Sequence, residues 1–388
     1  MSKLCIAATG VALAGSISAT SPAHAAKYEV VYNFQGGATD GSNVPAGLLK
    51  VGSQMYGTTY GGGANGQGTV FSLTPSGVET VIYSFQGGSD GANPWADLID
   101  VGGTLYGTTG SGGPSGAGTI FKITTAGIET VMYAFQGGAN GTNPNDGANS
   151  QAALVKSGSA LYGTTAGGGS TNYPCGTLFK ITAAGAYTQL YHLLCGVEPV
   201  SPVASLISLN NRLYGTSFGG GRYGLGTVFS ITKSGFLQTT YNFGAGTDGA
   251  DPSAGLINVN GAFYGTTESG GTSEFGTVFS MTPAGVETVL HEFTGVGLDG
   301  GGPDGRLLDV NGTFYGTTGA GYNKHRAFHG TLFSITAAGV LTTLHTFGTG
   351  PDGIAPLGNL IKVGNALYGT TWSGGTAGDG LVFRYRLQ

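Results

Sequence analysis

Residues 319–329 bring several titratable side chains together in one short segment, GAGYNKHRAFH. A histidine or tyrosine here could act as a general acid or base, and a neighbouring lysine or arginine could hold a carboxylate or sulfate. A solvated loop tip is the alternative explanation of the same composition. The polar members of this segment are the catalytic candidates: Tyr322, Lys324, His325, Arg326 and His329.

Large aromatic side chains form a second group, because their flat apolar faces can stack on a sugar ring. One of them has an arginine beside it in the chain, which adds a charged donor. Each of these side chains could equally pack within its own loop. The ligand-binding candidates are Trp95, Tyr173, Arg222, Tyr223 and Trp372.

A carboxylate recurs seven times along the chain, each time eight residues before a leucine: Asp40, Asp90, Asp146, Glu198, Asp248, Asp299 and Asp352. Seven carboxylates on one face could bind calcium, but calcium needs six to eight oxygen ligands, and one acid per unit does not supply them. An aspartate that caps its own turn is the better explanation. We predict neither a metal nor a cofactor.

Two other pairs of residues suggest chemistry less strongly. Glu268 and Glu274 could be the paired acids of a glycosidase, but their spacing in a loop cannot place them on either side of a glycosidic bond. His291 and His345 occupy positions where other copies of the repeat have tyrosine, as at Tyr83. This correspondence favours a structural role for both histidines.

The phrase Tyr-Gly-Thr-Thr or its variant Tyr-Gly-Thr-Ser recurs at intervals of about fifty residues, which indicates a tandem repeat. Its seven copies begin at Tyr56, Tyr106, Tyr162, Tyr214, Tyr264, Tyr315 and Tyr368. Each repeat contains four strand-like runs, a to d, which in the first copy are residues 48–51, 56–59, 68–74 and 79–85. We expect the glycine in run b to let neighbouring backbones approach closely.

The connections and the chain ends predict a closed ring. Asn260-Gly261 suits a tight hairpin between runs a and b, and Thr-x-x-Gly suits a turn between c and d. The last repeat stops after run c, whereas residues 28–34 form a lone run d. An open solenoid or parallel β-helix has no use for this arrangement. The sequence therefore predicts an all-β, seven-bladed β-propeller of four-stranded antiparallel blades, closed by the N-terminal strand.

The long connections, d to a and b to c, belong to one face of such a propeller. Function lies more often on long loops than on tight turns, so we expect the site on this face. The irregular loop at 319–329 would lie there.

Composition limits the partners and the location of the protein. Charged residues are only 9% of the chain and the net charge is −5, which argues against nucleic acid. Residues 1–25 resemble a signal peptide, with Lys3, a short apolar run and a small-x-small cleavage site. We expect one propeller domain over 26–388, without a membrane span, exported to the periplasm or secreted, as a monomer.

Two of the three cysteines lie after the expected cleavage point, in an oxidising setting. Cys175 precedes run c and Cys195 ends run d of the third repeat, with the hairpin midway between them. The two cysteines should face each other across the hairpin, and we predict a disulfide. A reactive thiol or a metal-binding pair is the alternative.

The long repeat unit also carries a family resemblance. Its pattern F-x-G-G-x-D-G-x-N-P, then G-L-L, then Y-G-T-T-x-x-G-G-x-x-G-x-G-T-V-F-x-L-T-P-x-G is similar to the Gloeo/Verruco (GloVer) repeat over nearly all of residues 28–388. The resemblance implies an extracytoplasmic repeat protein of the choice-of-anchor, GloVer-containing kind. It implies no agreed activity and no catalytic residues.

The low charge and the lack of a compact His/Asp/Glu motif favour a binding module for an extracellular or cell-surface ligand, a glycan first of all. A carbohydrate-active enzyme, a polysaccharide lyase or glycoside hydrolase using the 319–329 loop, is the alternative. A structural surface protein that binds a protein partner is a third hypothesis.

Overall fold

The structure is a computed structural model that describes residues 27–137, 146–169, 175–244, 247–296, 299–319, 329–348 and 351–387. Seven four-stranded antiparallel sheets form the blades of a β-propeller, which confirms the predicted fold. Within each blade the strands follow the order a-b-c-d. Strands a contact each other between blades one and two, three and four, five and six, and seven and one, which places strand a on the axial side of the blades.

The strands have these bounds, from blade one to blade seven. Strand a is Leu49–Val51, Ile99–Val101, Val155–Ser157, Ile207–Leu209, Ile257–Val259, Leu308–Val310 and Ile361–Val363. Strand b is Gln54–Thr59, Thr104–Thr108, Ala160–Thr165, Arg212–Ser217, Ala262–Thr267, Thr313–Thr318 and Ala366–Thr371. Strand c is Thr69–Leu73, Thr119–Thr124, Thr177–Thr182, Thr227–Thr232, Thr277–Met281, Thr331–Thr336 and Leu381–Arg386. Strand d is Glu79–Ser84, Glu129–Ala134, Tyr187–His192, Leu237–Asn242, Glu287–Glu292, Leu341–Thr346 and, for blade seven, Tyr28–Asn33.

The N-terminal strand closes the ring, as predicted. It pairs antiparallel with the last strand of the chain, with Tyr28 opposite Tyr385. An ion pair fastens the closure, because the carboxylate of Glu29 lies 2.5 Å from the guanidinium of Arg384. Such a closed sheet leaves the ring without a free strand edge between its first and last elements.

Buried phenylalanines hold the blades together. At six of the seven junctions, the phenylalanine that follows strand d of one blade packs edge-to-face on the strand-c phenylalanine of the next, with ring centroids 5.1–5.5 Å apart. Aromatic pairs prefer this geometry, and each adds roughly 0.5–1.5 kcal/mol beyond its area burial. At the junction of blades three and four, Leu193 takes the first position beside Phe229.

The repeated glycine makes room for that phenylalanine. A Cβ on Gly57 would lie 2.6 Å from Cζ of Phe71 and 3.2 Å from a methyl carbon of Leu48, both in the same blade. The same crowding occurs at Gly107, where Phe121 would be 2.6 Å away. The expectation that this glycine admits a neighbouring backbone is wrong, because the ring of its own blade occupies the space.

The two threonines of the repeated phrase have separate tasks. Thr58 donates a hydrogen bond from its hydroxyl to the carbonyl of Ala96 in the next blade. Thr59 instead bonds to the hydroxyl of Thr69 across its own sheet, at 2.8 Å. Equivalent bonds between blades are Thr164 to Pro202, Thr216 to Ala254 and Thr370 to Ala46.

The recurrent carboxylates cap their own loops, which confirms the structural interpretation. Asp90 accepts the backbone N–H of Gln86 at 3.0 Å and the hydroxyl of Tyr83 at 2.7 Å. Where histidine replaces that tyrosine, His291 lies 2.9 Å from its loop acid, Asp299. His345 is paired with its own loop acid in the same way. These carboxylates are therefore engaged by hydrogen-bond donors at the blade junctions.

Three of these junctions contain a second, buried carboxyl group, at the start of strand d: Glu79, Glu129 and Glu287. One carboxylate oxygen of each is buried without a hydrogen-bond partner among the described residues. Burial first, and then the nearby loop aspartate, raise the pKa of each glutamate to about 7. Leucine occupies the same position in blades four and six, so the position does not require an acid.

Cys175 and Cys195 form the predicted disulfide, with their Cα atoms 5.5 Å apart. The disulfide joins the segments that flank the c–d hairpin of blade three, beyond its last paired residues. Disulfides persist mainly in oxidising compartments, so the bond agrees with an exported protein. In the part of the chain that the structure describes, no helix is long and apolar enough to span a membrane.

We predict that Gly57→Ala destabilises the protein by about 1–3 kcal/mol, the usual cost of overpacking a core. The added methyl group would collide with the ring of Phe71. The free energy of unfolding in urea measures the loss. Gly88→Ala is the control, since no atom lies within 4 Å of the added carbon. Equal urea midpoints for the two variants would contradict the packing argument.

The three junction glutamates predict a stability that increases as pH falls. Their folded-state pKa of about 7 lies above the ordinary value of 4.5, so ionisation in the folded state is unfavourable. Their contribution to stability is fully present below pH 4.5 and is lost as pH rises through about 7. Thermal denaturation between these limits should show the triple variant E79Q/E129Q/E287Q with a flatter pH dependence than the original chain. Parallel curves would rule out these glutamates as its source.

Candidate functional site

The long d–a and b–c loops meet on one face of the propeller, as expected. In blade one, Gly41–Ser42 of the first loop pairs with Gly61–Gly62 of the second as a short antiparallel ribbon. Blades four and five have the same ribbon. The loop asparagine Asn93 has a φ of 53° and donates from its side chain to the carbonyl of Tyr60 in the preceding blade, at 3.0 Å. Asn43 and Ser201 donate the equivalent bond to the preceding blade, to the carbonyls of Trp372 and Ala166.

These loops surround a cavity of about 600 Å³, which we call the axial funnel. Its lining comes mainly from three positions of the repeat. The wall position is three residues before the leucine that recurs in every repeat, and all seven copies line the funnel: Pro45, Trp95, Gln151, Val203, Ser253, Asp304 and Leu357. The floor position is two residues further on, and five copies line it: Asp97, Ala153, Ser205, Gly255 and Asn359. The rim position follows strand b and contributes Ala166, Phe218 and Glu268.

One side of the funnel is aromatic. Trp95 lines the cavity and is packed against Tyr60 and Trp372, with ring centroids 5.3–5.6 Å apart in the three pairs. All three side chains are half-buried, so part of the cluster stays accessible. They come from blades one, two and seven. This cluster gives the funnel a flat apolar surface beside polar groups.

The floor beneath Trp95 is a chain of short hydrogen bonds. The carboxylate of Asp97 accepts the backbone N–H of Gly47 and the side-chain N–H of Asn359, both at 2.6 Å. The side-chain oxygen of Asn359 in turn accepts the backbone N–H of Arg306 at 2.6 Å. This clamp ties together loops of blades six, seven, one and two. A carboxylate and an amide retain further donor and acceptor capacity, so the floor can also bind hydroxyl groups.

The other side of the funnel, from blades five and six, is polar and acidic. Glu268, Ser253 and Asp304 line it. Burial raises the pKa of Asp304. Asp251, on the same loop as Ser253, also has a raised pKa because of burial, and it accepts a 2.5 Å hydrogen bond from Ser269. Asp251 and Asp304 therefore lie in a partly desolvated environment.

The sequence-predicted residues are distributed unevenly around this site. Trp95 lines the funnel, and Trp372 packs against Trp95 without being one of the lining residues. Arg222 and Tyr223 are exposed on the b–c loop of blade four, with the guanidinium 5.5 Å from the tyrosine ring centroid. They do not line the cavity.

Most of the catalytic candidates lie in a part of the chain that the structure does not describe. Tyr322, Lys324, His325 and Arg326, like Tyr173, lie outside the described residues. His329 is described at the base of its loop, where its carbonyl accepts the N–H of Ala355 at 2.9 Å, and it is not among the lining residues. Glu268 lines the funnel, but Glu274 is exposed at a loop tip, so the structure does not pair them there.

Sequence reasoning missed most of the polar lining. Gln151, Ser253 and Asp304 share one repeat position, and Asp97 and Asn359 share another. The signal was present in the repeat itself, since these two positions vary while the alanine or glycine between them and the leucine after them do not. Positions that vary within a constant frame mark this cavity. Among the described residues, no cluster of three or more His, Cys, Asp or Glu side chains has the arrangement of a metal site.

Comparison with known proteins gives a family and a fold. A model of the Gloeobacter/Verrucomicrobia repeat matches residues 8–151 and 149–383. No curated protein sequence matches the chain significantly.

Among solved structures, the BP39L lectin from Burkholderia pseudomallei is similar with a TM-score of 0.60 at 10% identity, over 90% of this chain and 96% of the lectin. A puromycin-hydrolyzing peptidase from Mycobacterium tuberculosis is similar with a TM-score of 0.51 at 10% identity, over 87% of this chain but only 52% of the peptidase. A gluconolactonase from Xanthomonas campestris has a TM-score of 0.42 at 15% identity, over 73% of this chain and 82% of the gluconolactonase.

We predict that the floor clamp contributes to stability. Asn359→Ala removes two short hydrogen bonds and leaves the carboxylate of Asp97 with one bond fewer, so the free energy of unfolding should fall by roughly 1–3 kcal/mol. Asn258→Ala is the control, because that exposed side chain makes a single long bond of 3.4 Å. An equal effect of the two changes, measured by urea denaturation, would contradict the clamp.

Proposed function

Because the chain belongs to the Gloeobacter/Verrucomicrobia repeat family and carries a two-sided axial funnel, we propose that it is an exported binding protein for a glycan. The observation that carries the proposal is the aromatic cluster of Trp95, Tyr60 and Trp372 beside the polar floor of Asp97 and Asn359. The apolar face of a sugar ring can stack on the aromatic cluster, and its hydroxyl groups can form hydrogen bonds with the polar floor. Ligand pockets in general combine apolar walls with a few well-placed polar groups.

The floor and the wall are positioned together. Trp95 and Asp97 are two residues apart in one loop, and both line the funnel. A pyranose stacked on Trp95 therefore has the carboxylate of Asp97 and the amide of Asn359 within the same loop cluster. Hydrogen bonds to a charged group contribute more than neutral ones, about 1.5–3 kcal/mol. The same fold occurs in a protein described as a lectin, so the architecture is compatible with a saccharide ligand.

Export is part of the proposal. The Cys175–Cys195 disulfide is compatible with an oxidising compartment, and the apolar run within residues 1–25 has the features of a signal peptide. The ligand would then be a glycan of the periplasm, the cell surface or the surroundings.

We predict that Trp95→Ala weakens glycan binding. Neutral, acidic and sulfated polysaccharides would be immobilised and the mature protein tested for retention, with each retained glycan measured by calorimetry. The loss of one stacking surface should weaken binding at least tenfold, which is about 1.4 kcal/mol. Tyr223→Ala is the matched control, an exposed aromatic residue on the same face but outside the funnel.

The same incubations distinguish binding from catalysis. Mass spectrometry would detect released oligosaccharides, and an unsaturated end would identify a lyase. Products would replace the binding proposal with the enzymatic alternative, and variants at His325 and Tyr322 would then be examined first. Retention that Trp95→Ala leaves unchanged would contradict the funnel as the site.

A further inference from the structure

The face of the propeller opposite the axial funnel is formed by the a–b turns and the c–d hairpins, and we call it the tight-turn face. Six c–d hairpins expose one residue each at the same position, directly after the glycine of Thr-x-x-Gly. In five hairpins this residue is large and apolar, with 63–68% of its surface exposed, and in blade three it is an exposed alanine. The six residues are Val78, Ile128, Ala186, Phe236, Val286 and Val340.

Each hairpin holds its exposed residue in a fixed place. In blade one, the hydroxyl of Thr74 accepts the N–H of Val78 at 2.9 Å, and the N–H of Thr74 donates to the carbonyl of Val78. The other five hairpins have the same hydroxyl contact at 3.0–3.2 Å. Because the turns occupy one position in successive blades, their apolar side chains form a ring around one face. Single exposed apolar residues need no explanation, but a flat partner could contact several members of such a ring at once.

The tight-turn face also carries most of the basic residues. Lys50 and Lys362 reach the a–b turns, where each donates to a turn carbonyl at 2.8 Å. An ammonium group has three donors, so both lysines keep donors for an external phosphate. The basic residues of this face are Lys27, Lys50, Lys156, Arg212, Lys233, Lys362 and Arg386.

Acidic residues of this face are fewer or engaged. Asp100 and Asp309 each accept a backbone N–H of an a–b turn. Glu29 is paired with the guanidinium groups of Arg384 and Arg386. The three junction glutamates each turn one oxygen into a blade junction, where it is buried. The face therefore combines exposed apolar side chains with an excess of basic groups.

The long-loop face has the opposite balance of charge. It carries the seven loop acids, and its basic residues in the described part of the chain are Arg222 and Arg306. It also exposes apolar side chains, such as Val197 at 76% and Val296 at 67%, so apolar exposure alone does not distinguish the two faces. Charge does, because an anionic surface attracts basic residues close to it and repels carboxylates.

We propose that the tight-turn face binds an anionic phospholipid bilayer, with the hairpin side chains in the interface and the lysines at the lipid phosphates. Peripheral binding of this kind combines buried apolar area with attraction to anionic lipids. A bilayer is flat on the scale of one propeller, so it can contact the whole ring of hairpins. The axial funnel then faces away from the membrane. The inference does not depend on which ligand the funnel takes.

Vesicle flotation tests this binding. The full mature protein is mixed with vesicles of phosphatidylglycerol and phosphatidylcholine in equal parts, or of phosphatidylcholine alone, and the bound fraction is measured against lipid concentration. We expect binding to the mixed vesicles to be at least tenfold tighter than to phosphatidylcholine. High salt should weaken it, because salt screens charges at a surface.

Paired variants locate the binding face. I128S/F236S removes two hairpin side chains and should weaken binding to the mixed vesicles at least tenfold. V197S/V296S is the matched control, since it removes two equally exposed apolar side chains from the long-loop face. Thermal denaturation should show equal midpoints for both double variants, because all four positions are exposed.

A second pair of variants tests the contribution of charge. Lys50→Gln should weaken binding to the mixed vesicles about fivefold, the usual contribution of one basic residue near an anionic surface. Arg222→Gln is its control, because it removes the same charge from an exposed position on the long-loop face.

Losses confined to I128S/F236S and Lys50→Gln support the inference. Failure of the original chain to bind the mixed vesicles overturns it, and so does an equal loss in the two double variants. Sedimentation velocity without lipid examines a protein partner instead. Self-association that I128S/F236S abolishes, without vesicle binding, overturns the bilayer in favour of a second copy of the chain.

Discussion

The packing of a strand-c phenylalanine over a strand-b glycine is the contact on which the rest of the structure depends. Phe71 fills the space that a side chain at Gly57 would need, and it also packs in an edge-to-face pair with Phe34 of the adjoining blade. One ring thus joins packing within a blade to packing between blades. Because cores are close-packed, a change at this point is transmitted to the neighbouring blade. The spacing of the loops follows from that of the blades.

This frame separates residues that build the propeller from residues that form its cavity. The threonine hydroxyls reach across to the loops of the next blade, as Thr58 does to Ala96. On either side of that alanine lie Trp95 and Asp97, which both line the funnel. The constant residue is held by the frame, and its two neighbours are free to vary. Seven copies of one loop can in this way surround a single asymmetric cavity, aromatic on one side and acidic on the other.

The repeat made the fold predictable, and the same property limited what could be said about the site. The number of strands follows from the repeats, and the ring closure follows from the lone N-terminal strand that pairs with Leu381–Arg386. The disulfide follows from the equal distances of its two cysteines from the hairpin between them. The funnel depends on which residues of different repeats converge at the axis. Asp97 and Asn359 are 262 positions apart and share a hydrogen bond. Only the three-dimensional arrangement of the blades brings these two residues together. A search of the sequence for unusual loops therefore selected Arg222 and missed Asp97 and Asn359.

The loop acids connect the stability of the ring to the geometry of the funnel. Asp90 fixes the start of a d–a loop through Gln86 and through Tyr83, which belongs to strand d of the preceding blade. Five residues later the same loop presents Trp95 to the cavity. The neighbouring glutamate, Glu129, adds a second carboxyl group whose ionisation is unfavourable because it is buried and also lies near Asp90. The glutamate charge at this junction could therefore be removed without loss of the propeller fold, since leucine takes its place in blades four and six.

The tyrosine–acid bond is different, because every blade junction keeps a tyrosine or histidine to hold its loop acid. A loop that carries the binding surface must be anchored at its base, and this bond is the anchor.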